Sequence, residues 1–183
     1  MNFKPYISID IETSGLNIQK SKVLEIGAVY DDGIKNISDL DVYSVIIDWP
    51  FLDWAEIPAL VLNKDLLVDI YNKKGNCKSP NDAFQGLINF IDKFKQNTKI
   101  QIAGKNVGSF DIPILLNNMS PEQSIKFKSM IQHRTIDVGS IYFHKFGYNA
   151  SLDEINKYID YKPVSHKALE DAINVVYAIR KIL

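Results

Sequence analysis

Cysteine is nearly absent: Cys77 stands alone in 183 residues. That excludes an intramolecular disulfide and fits a reducing compartment. Long apolar runs are also missing, and none approaches the roughly 18 residues of a membrane span. The opening residues, Met1-Asn2-Phe3-Lys4-Pro5-Tyr6, lack the basic and apolar regions of a secretory signal. The expected location is therefore cytoplasmic, with no membrane partner. Nor is there an excess of one charge sign. Lys and Arg number 21 against 22 Asp and Glu, a net charge of −1. A field that weak does not suit a protein tracking long stretches of duplex, but it leaves room for one gripping a few terminal nucleotides. The balance tips locally, where Lys126, Lys128, Arg134 and Lys145, with His133 and His144, face the single acid Asp137. This run is either a solvated basic face or a rim that touches phosphate.

No internal repeat, low-complexity tract or linker interrupts the chain, and its length suits one domain over residues 1–183 with a core of its own. In Tyr6–Ile11, Ile7, Ile9 and Ile11 alternate with Tyr6, Ser8 and Asp10, the period of a β-strand. Thr13-Ser14-Gly15 ends that strand. Val23–Tyr30 and Val42–Ile47 read as two more strands, and the turn residues Asp31-Asp32-Gly33 favour antiparallel pairing. Pro58–Ile70 suits a short helix and residues 72–78 a polar loop. Ser79-Pro80 opens a helix running to about Lys95, with Ser as cap and Pro at the first helical position. A strand over Ile100–Gly104, a helix over Ile112–Met119 and a capped helix from Ser120 follow. Arg134–Val138 reads as strand and Gly139–Phe146 as helix. Ser151-Leu152-Asp153-Glu154 caps a helix to about Ile159, and a last helix covers roughly Lys167–Ile182. Strands first, then helices alternating with strands, predict an α/β domain. Its mixed central sheet has three antiparallel strands plus parallel crossover strands and is flanked by helices.

Three groups of acids stand out. Asp10 and Glu12, two residues apart on a strand, leave the same face and suit a hard divalent cation, which takes oxygen ligands. Asp171 falls on the apolar stripe of the last helix, between Ala168 and Val175. A carboxylate there is costly unless it is paired or bound to metal. Asp111 stands just before a helix with Pro113 near its start, so it is either a helix cap or a ligand. His166 lies five residues before Asp171, about 500° of helix away, and so off its face. It is expected on the entering loop, free to swing.

In order, the motifs are Ile9-Asp10-Ile11-Glu12-Thr13-Ser14-Gly15-Leu16, then Asn106-Val107-Gly108-Ser109-Phe110-Asp111, then His166-Lys167-Ala168-Leu169-Glu170-Asp171. This series resembles the DEDD superfamily of 3′→5′ exonucleases, in its histidine-containing, DnaQ-like branch. That branch includes polymerase proofreading subunits, RNase T and oligoribonuclease. No catalytic position of the pattern is missing. The resemblance implies a ribonuclease-H-like fold and two Mg²⁺ or Mn²⁺ ions held by Asp10, Glu12, Asp111 and Asp171, with His166 as general base. It further implies release of nucleoside 5′-monophosphates from single-stranded or frayed DNA or RNA 3′ ends, and a possible polymerase or replication partner. Thr13, Ser14 and Leu16 match the turn that receives the terminal nucleotide, and Asn106 and Phe110 would flank it, although core packing also accounts for Phe110. Two other functions fit the same residues: an exoribonuclease or oligoribonuclease, and a polymerase-associated module that binds nucleic acid without cutting it.

Overall fold

The computed structural model of the chain describes residues 3–95 and 98–183. Strand β1 (Tyr6–Thr13) lies inside a six-stranded sheet. It pairs antiparallel with β2 (Val23–Asp31), which pairs antiparallel with β3 (Asp41–Ile47). On its other side β1 pairs parallel with β5 (Gln101–Gly104), which pairs parallel with β6 (Ile136–Asp137). The spatial order is β4–β3–β2–β1–β5–β6, where β4 (Cys77–Lys78) adds two residues parallel to β3. The fold is the mixed-sheet, ribonuclease-H-like α/β architecture expected from the sequence.

Helices cover both faces of the sheet, so the period-2 pattern of β1 sorts its side chains between two cores. Ile7, Ile9 and Ile11 enter one core, with Phe84, Leu87, Ile88 and Ile91 of α3 (Pro80–Phe94). Two further helices, α4 (Asp111–Asn118) and α5 (Pro121–Met130), pack on the same side. Tyr6 faces a second core with Val29, Val175, Val176 and Ile179. That side carries α6 (Val138–Ile141), α7 (Phe143–Phe146), α8 (Leu152–Tyr158) and α9 (Ala168–Arg180). Glu12 and Asp10 share the strand face of Tyr6 and therefore point toward α9.

Several elements differ from the sequence reading. The expected helix over 58–70 is two helices, α1 (Ile57–Leu62) and α2 (Lys64–Tyr71), broken at Asn63. The Asn63 side-chain N–H donates to the Thr13 carbonyl at 3.2 Å, a contact between distant segments that local propensity does not encode. The polar loop over 72–78 contributes β4, because the Asn76 carbonyl and Ile46 N–H pair across to β3. The helix expected over 139–146 is α6 and α7, bent at Tyr142, whose hydroxyl donates to the Ala178 carbonyl of α9. Asp31, read as a turn residue, is the fully buried last residue of β2. Ile182, placed on the apolar stripe of the last helix, lies beyond its end and is 41% exposed. No helix among the described residues is long and apolar enough to cross a membrane.

Helix α9 is fastened to β2 at both ends. At its start the Ala168 N–H donates to Glu25 Oε2 at 3.0 Å, and at its end Arg180 Nε donates to Asp31 Oδ2 at 3.1 Å. The lengths match: six strand residues from Glu25 span about 20 Å, and twelve helical residues from Ala168 span about 18 Å. Between the two clamps the helix touches the sheet at Gly27, where an added Cβ would lie 2.2 Å from the Ala168 carbonyl carbon. Gly27 pairs directly with Asp10, so this contact sets the start of α9 over the acidic end of β1.

Gly27→Ala is therefore expected to destabilise the protein by about 2 kcal/mol or more, since backbone rather than a yielding side chain fills the space. Gly147→Ala has open space around its Cβ and only a left-handed backbone to disfavour it (φ +76°). It should cost about 1 kcal/mol. Urea unfolding of the two variants side by side checks the ranking, and equal losses would remove Gly27 as the contact point.

Candidate active site

The three motifs meet in one cleft of about 560 Å³. Its floor is the end of β1, and its walls are the first turn of α4, the start of α9 and α1. Asp10, Glu12, Asp111, His166 and Asp171 all line it. Glu12, Asp111 and Asp171 are buried, Asp10 is partly buried and His166 is exposed. Donor atoms of Glu12, His166 and Asp171 all lie within 4.8 Å of one another, close enough to share one cation.

Each acid is placed by a different local device. Asp10 and Glu12 follow from the strand period. Asp111 is the first residue of α4, with Phe110 in the capping position, so it is not the N-cap that the sequence allowed. Its own N–H and the N–H of Ile11 favour the charged form of its carboxylate. Asp171 accepts from the Ser165 N–H and the His166 N–H, each at 3.0 Å, and from the Asn174 side chain at 3.1 Å. The segment before α9 is thus tied back onto the helix. His166 has a left-handed backbone (φ +55°), and its loop is pinned through its own N–H rather than free to swing as the sequence suggested.

Burial raises the pKa of every carboxyl in the group, and repulsion between neighbouring acids adds to it at Asp10, Glu12 and Asp111. The Asp10 carboxyl is pushed well above its ordinary range, first by burial and then by Asp111, Asp171, Glu12 and Glu25. Burial pushes Glu12 up to about 7, with Asp171 and Glu25 adding to it and the Asn63 side chain opposing it. Burial likewise raises Asp111 to about 7, against the lowering effect of its own N–H and that of Ile11. Asp171 is raised by burial and held back by Ser165 and His166. The cleft-lining cation is Lys105, whose ammonium is engaged with Asn106 Oδ1 at 2.8 Å and Asn149 Oδ1 at 2.9 Å. Crowded acids without a neutralising side chain are a donor set suited to divalent cations, which take oxygen ligands.

The five residues expected to contact substrate separate. Thr13 and Leu16 line the cleft. Leu16 is 73% exposed, with its N–H on Glu56 Oε2 at 3.1 Å, while the Thr13 hydroxyl is turned onto the Gly15 carbonyl at 2.7 Å. Phe110 does both things the sequence allowed: it lines the cleft and packs against the core. Ser14 does not face the cleft. It is fully buried, donates to the Trp54 carbonyl at 3.0 Å and accepts from the Lys22 N–H at 2.9 Å, so it pins the turn. Asn106 stands outside the lining with a left-handed backbone (φ +58°), and its N–H is held by Asp137 at 2.6 Å. The basic run over 126–145 contributes no side chain to the cleft lining.

Sequence reasoning passed over Glu25, Asn63, Lys105 and Asn174. Glu25 was the legible one, because a polar side chain in Val23–Tyr30 sits opposite Glu12 once the antiparallel register is drawn. The other three depend on contacts between segments distant in the chain.

No family model matches the chain, and no curated protein matches its sequence. Solved structures do match in shape. A structure of exonuclease I aligns with a TM-score of 0.73 at 12% identity, covering 98% of this chain and 41% of that one. The zinc-bound complex of E. coli exonuclease I with single-stranded DNA aligns at 0.69 and 13%, covering 97% and 40%. The Mg²⁺- and Mn²⁺-bound form of S. pombe Pop2p aligns at 0.70 and 16%, covering 97% and 82%. The chain thus spans about two fifths of exonuclease I and most of Pop2p, and what it shares with both is the fold.

Proposed function

We propose that this chain is a metal-dependent 3′→5′ exonuclease that releases nucleoside 5′-monophosphates from single-stranded or frayed ends. The observation that carries the reading is the convergence of Asp10, Glu12, Asp111, Asp171 and His166, scattered across the sequence, in one cleft. The folds that align support it, since they include an exonuclease bound to single-stranded DNA and a protein bound to Mg²⁺ and Mn²⁺.

Asp10, Glu12, Asp111 and Asp171 would hold two Mg²⁺ or Mn²⁺ ions. Such a pair supplies, when bound, the positive charge that an in-line displacement at phosphorus needs on its entering and leaving oxygens. The chain's own residues do the rest. His166 takes a proton from the attacking water as that water's oxygen bonds to phosphorus; the phosphorus–O3′ bond breaks, and the departing O3′ takes a proton from solvent water, leaving the shortened strand with a 3′-hydroxyl. Leu16, exposed, and Phe110 both line the cleft, and in this reading Leu16 wedges against the terminal base with Phe110 beside it. Lys105 places one cation at the rim for a phosphate, which suits a grip on the strand end better than tracking along duplex. Matched DNA and RNA oligonucleotides, long and short and 3′-labelled, test the reading. Mg²⁺-dependent release of mononucleotides from the 3′ end is expected, and cleavage of circular single strands or full activity in excess chelator would overturn it.

Substitutions separate the acids. Asp10→Ala should abolish turnover and raise the stability of the metal-free protein, because the Asp10 carboxylate accepts no hydrogen bond among the described residues and its loss relieves repulsion. Asp171→Ala should also abolish turnover but lower stability by about 1–3 kcal/mol, since it leaves the N–H groups of Ser165 and His166 unpaired. Thermal unfolding in chelator reads the opposite signs. His166→Ala should lower the single-turnover rate about 10²- to 10⁴-fold, with Mg²⁺ affinity nearly unchanged by calorimetry; a large loss of affinity would make the imidazole a ligand instead.

The raised carboxyls also fix a pH dependence. Glu12 and Asp111 bind protons more tightly folded than unfolded, so their contribution favours the folded state at low pH. It is complete below about 4, their ordinary range, and is lost as pH rises through about 7. Divalent cations need the ionised acids. Saturating Mg²⁺ should therefore raise the melting temperature much more at pH 8 than at pH 5.5. An equal rise at both would place the ions elsewhere.

A further inference from the structure

Glu25 belongs to none of the three motifs, yet its side chain reaches the segment that carries His166. It pairs with Glu12 across β1 and β2, and it borders a depression walled by Ser165, His166 and Lys167. A further carboxylate there is electrostatically unwelcome, since its charge makes both Asp10 and Glu12 harder to ionise. The contact that offsets this is the Ala168 N–H, which donates to Glu25 Oε2 at 3.0 Å. Ala168 opens α9, and Lys167 at the capping position offers no side-chain cap. Glu25 caps the helix from another strand, where its negative charge also suits the helix N-terminus.

The neighbouring amides are held as well. Asp171 takes the N–H groups of Ser165 and His166, so three of the four amides over 165–168 end on two carboxylates. Between them His166 keeps its left-handed backbone (φ +55°). For a residue with a Cβ this conformation costs about 1–2 kcal/mol. It persists only where its surroundings over-determine it. We propose that Glu25 is a positioning residue for His166: by fixing the Ala168 N–H it locks the 165–168 turn and keeps the imidazole against Glu12 and Asp171. The proposal rests on His166 acting as the base in the reaction above.

Three substitutions separate reach from charge in the full chain. Glu25→Gln keeps the reach and an acceptor, Glu25→Asp keeps the charge but falls short of Ala168, and Glu25→Ala loses both. Single-turnover digestion of a 3′-labelled single strand at saturating Mg²⁺ is followed with each. The Asp and Ala variants should lose about 10- to 100-fold in rate, with KM moving less than about threefold, and the Gln variant should lose less than about threefold. In a His166→Ala background each Glu25 substitution should change the rate by less than about twofold, because residues acting through one group are not additive. A full multiplicative loss in that background, or a Gln variant as defective as Asp, would overturn the proposal. Amide hydrogen exchange gives a readout independent of activity. Glu25→Asp should speed exchange at His166 and Ala168 while the amides of β1 stay protected, whereas Glu25→Gln should not; unchanged exchange in Glu25→Asp would equally overturn it. If the wild-type chain digests no oligonucleotide, the nuclease reading fails and the exchange rates still decide the clamp.

Discussion

The contact between α9 and β2 is the constraint from which the site follows. Gly27 lets the first turn of the helix touch the sheet, and the Glu25 and Asp31 contacts fasten its two ends. Asp31 is fully buried, which is tolerable only because Arg180 pairs with it and the Gly33 N–H adds a bond at 2.8 Å. With the helix fixed in position and direction, Asp171 falls beside Glu12. A small rotation of α9 would still bury Val175 and Ile179 but would carry Asp171 away from the cleft. Apolar packing supplies the adhesion here, while a glycine and two polar contacts supply the alignment.

That alignment works against stability in the absence of cations. The acids that converge on the cleft make one another harder to ionise, and no buried Lys or Arg lies among the residues that line it. A fold selected for stability alone would not gather these groups. The chain tolerates them because β1 is central to the sheet, flanked by β2 and β5 and buried between two cores. The left-handed backbone of His166 belongs to the same pattern: local strain beside the acids, held by hydrogen bonds from α9 and β2.

The shared shape with exonuclease I and Pop2p at 12–16% identity has a physical basis. Sheet order and helix placement tolerate wide exchange of apolar side chains, provided that volume and pattern are kept. The acids tolerate far less, since their chemistry depends on atom positions. In this chain those positions are supported by residues outside the motifs, among them Asn174, Asn63 and Glu25.

Alternating isoleucines in β1, capping residues at Ser79, Ser120 and Ser151, and the stripe through Ala168, Ala172 and Val175 are local patterns. They carried the α/β class, the three antiparallel strands and most helices. The order of the three motifs, through the family resemblance it carries, pointed to the five residues that meet in the cleft, whereas the strand period alone accounts only for Asp10 and Glu12 sharing a face. Tertiary structure decided what depends on partners distant in the chain. It split the helix over 58–70 at Asn63, added β4, turned Ser14 into the core and pinned the loop of His166. It also brought Lys105 and Glu25 to the site. A local pattern records which face a residue occupies, but a hydrogen bond across 143 positions, as between Glu25 and Ala168, exists only once the sheet and the last helix have met.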